Sequence, residues 1–162
     1  MKYLRLALIT LAAYILQNTA LKYISVFGIV PNIMVVFVIC YSLNNKNFIS
    51  AVIYGLLCGF ALDCASQTLF GLHALLSIGC ASLCTEMSER FFKGKYIVKI
   101  MFAFVLSFVY EALYYGLSYA LYNETPYFKM LLFTALPTAV YNTVLAMPLL
   151  LYIRRNNTDE EE

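Results

Sequence analysis

Asp63, Glu111 and the single histidine, His73, are the side chains best placed to do chemistry, because each stands in or beside apolar sequence. Ionisable groups in such surroundings are costly and are functional candidates by default. Gln17, Asn18 and Asn142 are uncharged polar residues in the same kind of setting. Two close carboxylates could work as an acid pair, but no motif around Asp63 or Glu111 supports a dyad. Catalysis needs a nucleophile or metal with an oriented base. The chain has one His and neither HExxH nor GxSxG. Its five cysteines, at 40, 58, 64, 80 and 84, are odd in number and form no CxxC. Cys80 and Cys84 share a helix face as small packing residues. No zinc spacing occurs. The expectation is no enzyme, no cofactor and no metal.

Composition says what must hold these groups. Of 162 residues, 62% are hydrophobic and 12% charged, against about 45–50% and about 25% in soluble domains. A chain this short cannot bury that much apolar surface in one aqueous core. Disorder needs low hydrophobicity. With net charge +2 and no separate basic stripe, nucleic-acid binding is excluded as well. An all-α polytopic membrane protein remains, a single integral membrane domain over residues 1–162.

A spanning helix needs about 20 mostly apolar residues. Charge-poor runs predict six transmembrane helices, at approximately 4–22, 28–43, 48–65, 69–88, 97–122 and 129–153. Gly28 and Pro31 open the second, and Asn44-Asn45-Lys46-Asn47 is a polar turn after it. Gln67 to Gly71, Glu89 to Lys95 and Asn123 to Pro126 read as further connections. Lys2 and Arg5 resemble the start of a signal peptide, but no A-x-A-like site follows, so the first span reads as an uncleaved anchor. With six spans both termini share a side. That side collects Lys2, Arg5, Lys46, Arg90, Lys93, Lys95, Lys99, Arg154 and Arg155, leaving Lys22 and Lys129 of the 11 basic residues opposite. The asymmetry makes both termini cytoplasmic.

Depth along the helices follows from the rise per residue. Asp63 lies about 22 Å into the third span and Glu111 about 21 Å into the fifth. Gln17 and Asn18 reach a similar level, and His73 lies about 6 Å inward from the outer start of the fourth. Five polar side chains from four helices are thus expected in one layer near the outer face. Asp63 has a second reading, as a helix cap or a residue of a short outer loop. His73 reads as a satisfied packing residue and Asn142 as interhelical glue.

Small residues mark where helices approach. Gly55 and Gly59 form a GxxxG on the side that also carries Asp63 and Gln67. Ser107, Glu111, Tyr115 and Ser118 make a polar side of the fifth span, beside a small-residue side of Ala112, Gly116 and Ala120. On the sixth, Ala135, Ala139, Asn142 and Ala146 form a seam, and Pro137 is expected to kink the helix.

The order of these features resembles the rod shape-determining protein MreD family over nearly the whole chain. The matching residues are a basic start and an apolar span ending in Leu16-Gln17, then Gly28-Ile29-Val30-Pro31-Asn32, where Asn32 replaces the acid of the family's frequent Pro-Asp-Leu. Next comes Gly55 to Gly71, reading GLLCGFALDCASQTLFG, a glycine-rich span ending in one Asp and a loop closed by Phe-Gly. Last are Tyr141-Asn142-Thr143, Ala146-Met147-Pro148 and Arg154-Arg155. The resemblance implies a non-enzymatic scaffold of the cell-elongation machinery in the bacterial inner membrane. Its implied partners are an MreC-type single-span protein, a RodA-type glycosyltransferase, a class B penicillin-binding transpeptidase and, through the complex, the MreB cytoskeleton, besides membrane lipid. The family is also similar in fold to the substrate-binding subunits of energy-coupling-factor transporters. That likeness leaves vitamin binding as the alternative function. Such subunits often carry an Ala-xxx-Ala pair on the first span. Here the pair Ala135 and Ala139 stands on the sixth.

Overall fold

Helices take up nearly all of the residues that the computed structural model describes, which are 2–19, 29–66, 70–91, 96–122 and 127–158. They are α1 (Lys2–Thr19), α2 (Ile33–Asn44), α3 (Phe48–Ala65), α4 (Leu72–Phe91), α5 (Tyr96–Tyr122), α6 (Tyr127–Met130) and α7 (Leu136–Thr158). A π-helical turn, Leu131–Ala135, joins α6 to α7 without a break. Helix thus stands at each of the six positions expected from the apolar runs. Among the described residues, three stretches are by length and composition long and apolar enough to cross a membrane: Phe48–Ala65, Tyr96–Leu121 and Tyr127–Ile153. Ile33–Asn44 is apolar but shorter. Lys22, Gly28, Gln67, residues 92–95 and 123–126, and the acidic tail 159–162 lie outside the described residues.

The second helix starts later than expected, at Ile33 rather than near residue 28. The cause is local. Pro31 disfavours helical geometry at Val30. Asn32 is instead the N-cap, its side chain accepting from the Val35 N–H, a role Asn fills well. Asn47 caps α3 the same way through Ser50, which sets that start at Phe48 as expected.

At the centre stands α2, packed against α1, α3, α4, α5 and α7. Met34, Val35, Val36, Val38, Ile39, Cys40, Ser42 and Leu43 are all buried, while Ile33, Phe37, Tyr41 and Asn44, spaced along one side, are half-buried. An all-round apolar surface is the mark of such a core helix. Around it, α3 packs most extensively on α4, and α5 on α7, while α1 touches only α2 and α3 among the described elements.

The α3–α4 contact depends on the GxxxG. A Cβ on Gly59 would stand 2.5 Å from the Ala74 Cα and 2.6 Å from the His73 carbonyl oxygen. One on Gly55 would stand 2.8 Å from the Ser77 carbonyl oxygen. Both glycines therefore seat backbone on backbone, which lets α3 and α4 approach closely. Ala135, Ala139 and Ala146 are likewise fully buried on the last helix. Directly before Pro137, the Leu136 N–H reaches back to the Leu131 carbonyl, so the irregularity takes the form of a π turn.

Candidate functional site

The polar side chains converge where two helices begin, and the backbone explains why. The first N–H groups of a helix have no intrahelical partner. In α4 the residue before Leu72 is Gly71, whose carbonyl accepts from Leu75 at 3.0 Å. Gly71 sits at φ +96°, a conformation that suits glycine. It has no side chain to cap with. Asp63, at the end of α3, supplies the missing acceptors. Its Oδ1 takes the His73 N–H at 3.0 Å and its Oδ2 takes the Ala74 N–H at 3.0 Å. Asp63 is 2% exposed, so this carboxylate rests on the positive end of the α4 dipole. The structure combines its two sequence readings: Asp63 is buried, and it caps a helix end, that of the neighbouring α4.

His73 extends this cluster. Its Nδ1 is 2.7 Å from the Tyr110 hydroxyl, and its ring stacks on Tyr114 with centroids 4.4 Å apart. Both tyrosines come from α5, so Asp63, His73 and Tyr110 tie three helices together at one level.

A second cluster forms at the start of α2. Asn32 caps Val35, and Gln17 of α1 accepts the next orphan, the Met34 N–H, at 3.1 Å. The Asn32 N–H donates to Asn142 Oδ1 at 2.8 Å, and Asn142 Nδ2 donates to Ser107 Oγ at 2.6 Å. Gln17 Nε2 also reaches Asn32 Oδ1 at 3.4 Å. Glu111, buried, places its carboxyl within hydrogen-bonding reach of the Asn32 side chain. Four helices, α1, α2, α5 and α7, thus meet at one asparagine.

The opposite end of α2 is treated in the same way. Ser88 Oγ donates to the Leu43 carbonyl at 2.7 Å, and Thr85 Oγ1, which donates to the Ala81 carbonyl of its own helix at 3.0 Å, also lies 3.4 Å from the Ser42 carbonyl. Asn44 turns back to the Cys40 carbonyl and accepts from Lys99 Nζ at 2.7 Å. Twelve residues make a helix of about 18 Å, well short of a hydrocarbon core about 30 Å thick. Both ends of α2 need partners inside the protein, because lipid offers none.

Of the five side chains expected in one layer, Asp63 and His73 fall in one cluster and Gln17 and Glu111 in the other, which Asn142 also joins. Asn18 does not join them; its amide donates to the Tyr14 carbonyl of its own helix at 3.0 Å. On α5, Gly116 faces the Tyr127 ring and the Ala112 carbonyl accepts from the Tyr127 hydroxyl at 3.4 Å, but Ala120 is exposed. That small-residue side is not seated on another helix along its whole length. Asn32 as a hub, Tyr110 and Tyr114 around His73, and Thr85 and Ser88 as caps were not singled out from the sequence as site residues. The Pro31-Asn32 pair carried a usable signal, since Pro followed by an N-capping residue marks a helix start. All five cysteines are free thiols, and no three His, Cys, Asp or Glu side chains converge among the described residues.

The clusters hold helices together and leave few groups idle. Among the buried side chains, most polar atoms point at one another or at a helix end. The arrangement braces helix against helix.

Compared with known proteins, residues 2–155 match a family model described as rod shape-determining protein MreD. No curated protein and no solved structure matches the chain.

Proposed function

This chain belongs to the rod shape-determining protein MreD family, and from that premise we propose that it is a multi-pass scaffold of the bacterial inner membrane. In this reading all six helical segments cross, α2 together with the non-helical residues 29–32 before it, both termini are cytoplasmic, and residues 1–162 form one membrane domain. It docks an MreC-type single-span protein, and directly or through it a RodA-type glycosyltransferase and a class B penicillin-binding transpeptidase. The MreB cytoskeleton connects through the same complex, and the outcome is lateral peptidoglycan synthesis. The carrying observation is the family match over nearly the full chain. The geometry supports a scaffold because the intramembrane polar groups serve as braces. Gln17, Asn32, Asp63, His73 and Asn142 are each engaged with another part of the chain. A site for a polar small molecule would leave such groups turned toward an opening.

Depletion of the protein in its host tests the proposal. Rounding of rod-shaped cells with loss of lateral wall synthesis is the expected result. Normal shape with failed uptake of a vitamin would overturn it.

A further inference from the structure

Between α1 and α3 lies an open cavity of about 690 Å³, floored by α2. Leu11 and Tyr14 of α1, Met34 of α2, and Ile53, Leu57 and Ala61 of α3 line it. Hydroxyls of Thr10, Tyr14, Tyr41, Ser50 and Tyr54 also border it, and those of Thr10 and Tyr54 share a hydrogen bond of 2.7 Å. The α3 lining runs from Ser50 to Cys64, a length of about 21 Å. That exceeds the ~15 Å depth of one leaflet, half of a core about 30 Å thick. At the Ser50 end, Lys46 stands exposed just before α3.

We propose that this groove seats one acyl chain of an anionic phospholipid whose headgroup lies beside Lys46. Size selects the occupant. A methylene needs about the ~30 Å³ share of a water molecule, so a sixteen-carbon chain needs roughly 480 Å³ and fits. A transmembrane helix, a rod about 10 Å wide and 30 Å long, occupies more than about 2,000 Å³ and can lie only across the mouth. Charge selects the headgroup, because basic residues near the membrane surface attract anionic lipid. The lining is mostly apolar, and the Thr10–Tyr54 hydroxyl pair within it is satisfied, so a hydrocarbon chain displaces little polar contact on entering. A seated chain also explains how α1 is held, since among the described elements α1 packs on α2 and α3 alone. The inference rests on the reading that α3, a candidate membrane span, crosses the bilayer.

The test uses the full chain in nanodiscs with a phosphatidylglycerol that carries a diazirine in its acyl chain. The matched phosphatidylcholine probe is the comparison. Labelling of Leu11, Ile53 and Leu57 is expected to exceed that of the exposed Val105 and Leu113 on α5 by about tenfold, the excess that a net preference of about 1.4 kcal/mol for the groove over surrounding lipid gives. Leu57→Trp with Ala61→Phe fills the groove and should remove the excess without changing α5 labelling. Lys46→Gln should lower the preference for phosphatidylglycerol by about fivefold, the effect of one basic residue. If the filled variant fails to fold, the wild-type labelling map decides alone. Equal labelling of groove and α5 overturns the proposal while leaving the membrane reading intact. So does a photoreactive residue at Leu57 that traps a polypeptide in cells. Absence of labelling on both α3 and α5 overturns the membrane reading itself.

Discussion

At the scale of residues, Asp63 and Gly59 carry the most weight. The Asp63 carboxylate answers two N–H groups that Gly71 cannot cap. An orphaned buried donor costs about 1–3 kcal/mol, and Asp63→Ala orphans two. Thermal unfolding in detergent, followed by tyrosine fluorescence, should show a loss of several degrees. Asp63→Asn keeps one amide acceptor and should fall between. Gly59→Ala puts a Cβ 2.5 Å from the Ala74 backbone, which does not yield as a side chain would. Overpacking of this kind costs about 1–3 kcal/mol. Gly79 is the control, with nothing within 4 Å of an added Cβ. Gly79→Ala should be neutral or slightly stabilising in the same assay, since Ala favours helix over Gly. Glu111 belongs at this scale too. It is buried against Asn32, and Glu111→Leu should lower detergent-resistant assembly with a partner on native gels. Unchanged assembly and unchanged cell shape would falsify a functional role for it.

Among elements, α2 is the one on which the rest depend. It is short, buried on most of its surface, and has side chains from other helices at both ends. Asn142 pins its start to α7 and α5 at once. Interhelical hydrogen bonds in membranes are worth about 0.6–2 kcal/mol each. Asn142→Leu should therefore destabilise by up to a few kcal/mol in denaturant unfolding. Asn18→Leu loses only a bond to its own helix and should be milder. Equal effects would mean that Asn142 does not couple the helices. The π turn before Pro137 is an element of a different sort. It lets one long helical run absorb a residue that lacks an N–H.

For the whole molecule, the six-crossing scaffold makes a prediction about sides. Lys46 and Lys129 fall on opposite faces of the membrane in that topology, and both are exposed. In a cysteine-free background, an impermeant maleimide applied to intact cells should label Lys129→Cys and spare Lys46→Cys. Labelling of both, or the reverse pattern, would show the crossing count or the orientation to be wrong. The bundle is bound together from its centre, with α2 the common neighbour of five other elements. Lipid supplies no hydrophobic drive between helices, so close backbone packing and the two polar clusters carry the assembly.

Apolar runs, turn residues and small-residue stripes are written along the chain, so the sequence by itself determined helix positions and the close-packing glycines. Composition alone required an apolar environment. The family resemblance was readable too, because it lies in the order and spacing of residues. Partners were another matter. Nothing local marks Asp63 as the cap of a helix that starts at Leu72, or Gln17 as an acceptor for Met34. Such bonds join residues that only packing brings together, and helix ends accept any donor or acceptor of the right type. The central place of α2 was hidden for the same reason. Its apolar surface is compatible with facing lipid or protein, and only the tertiary structure decided which, by surrounding it with helices that also satisfy its ends.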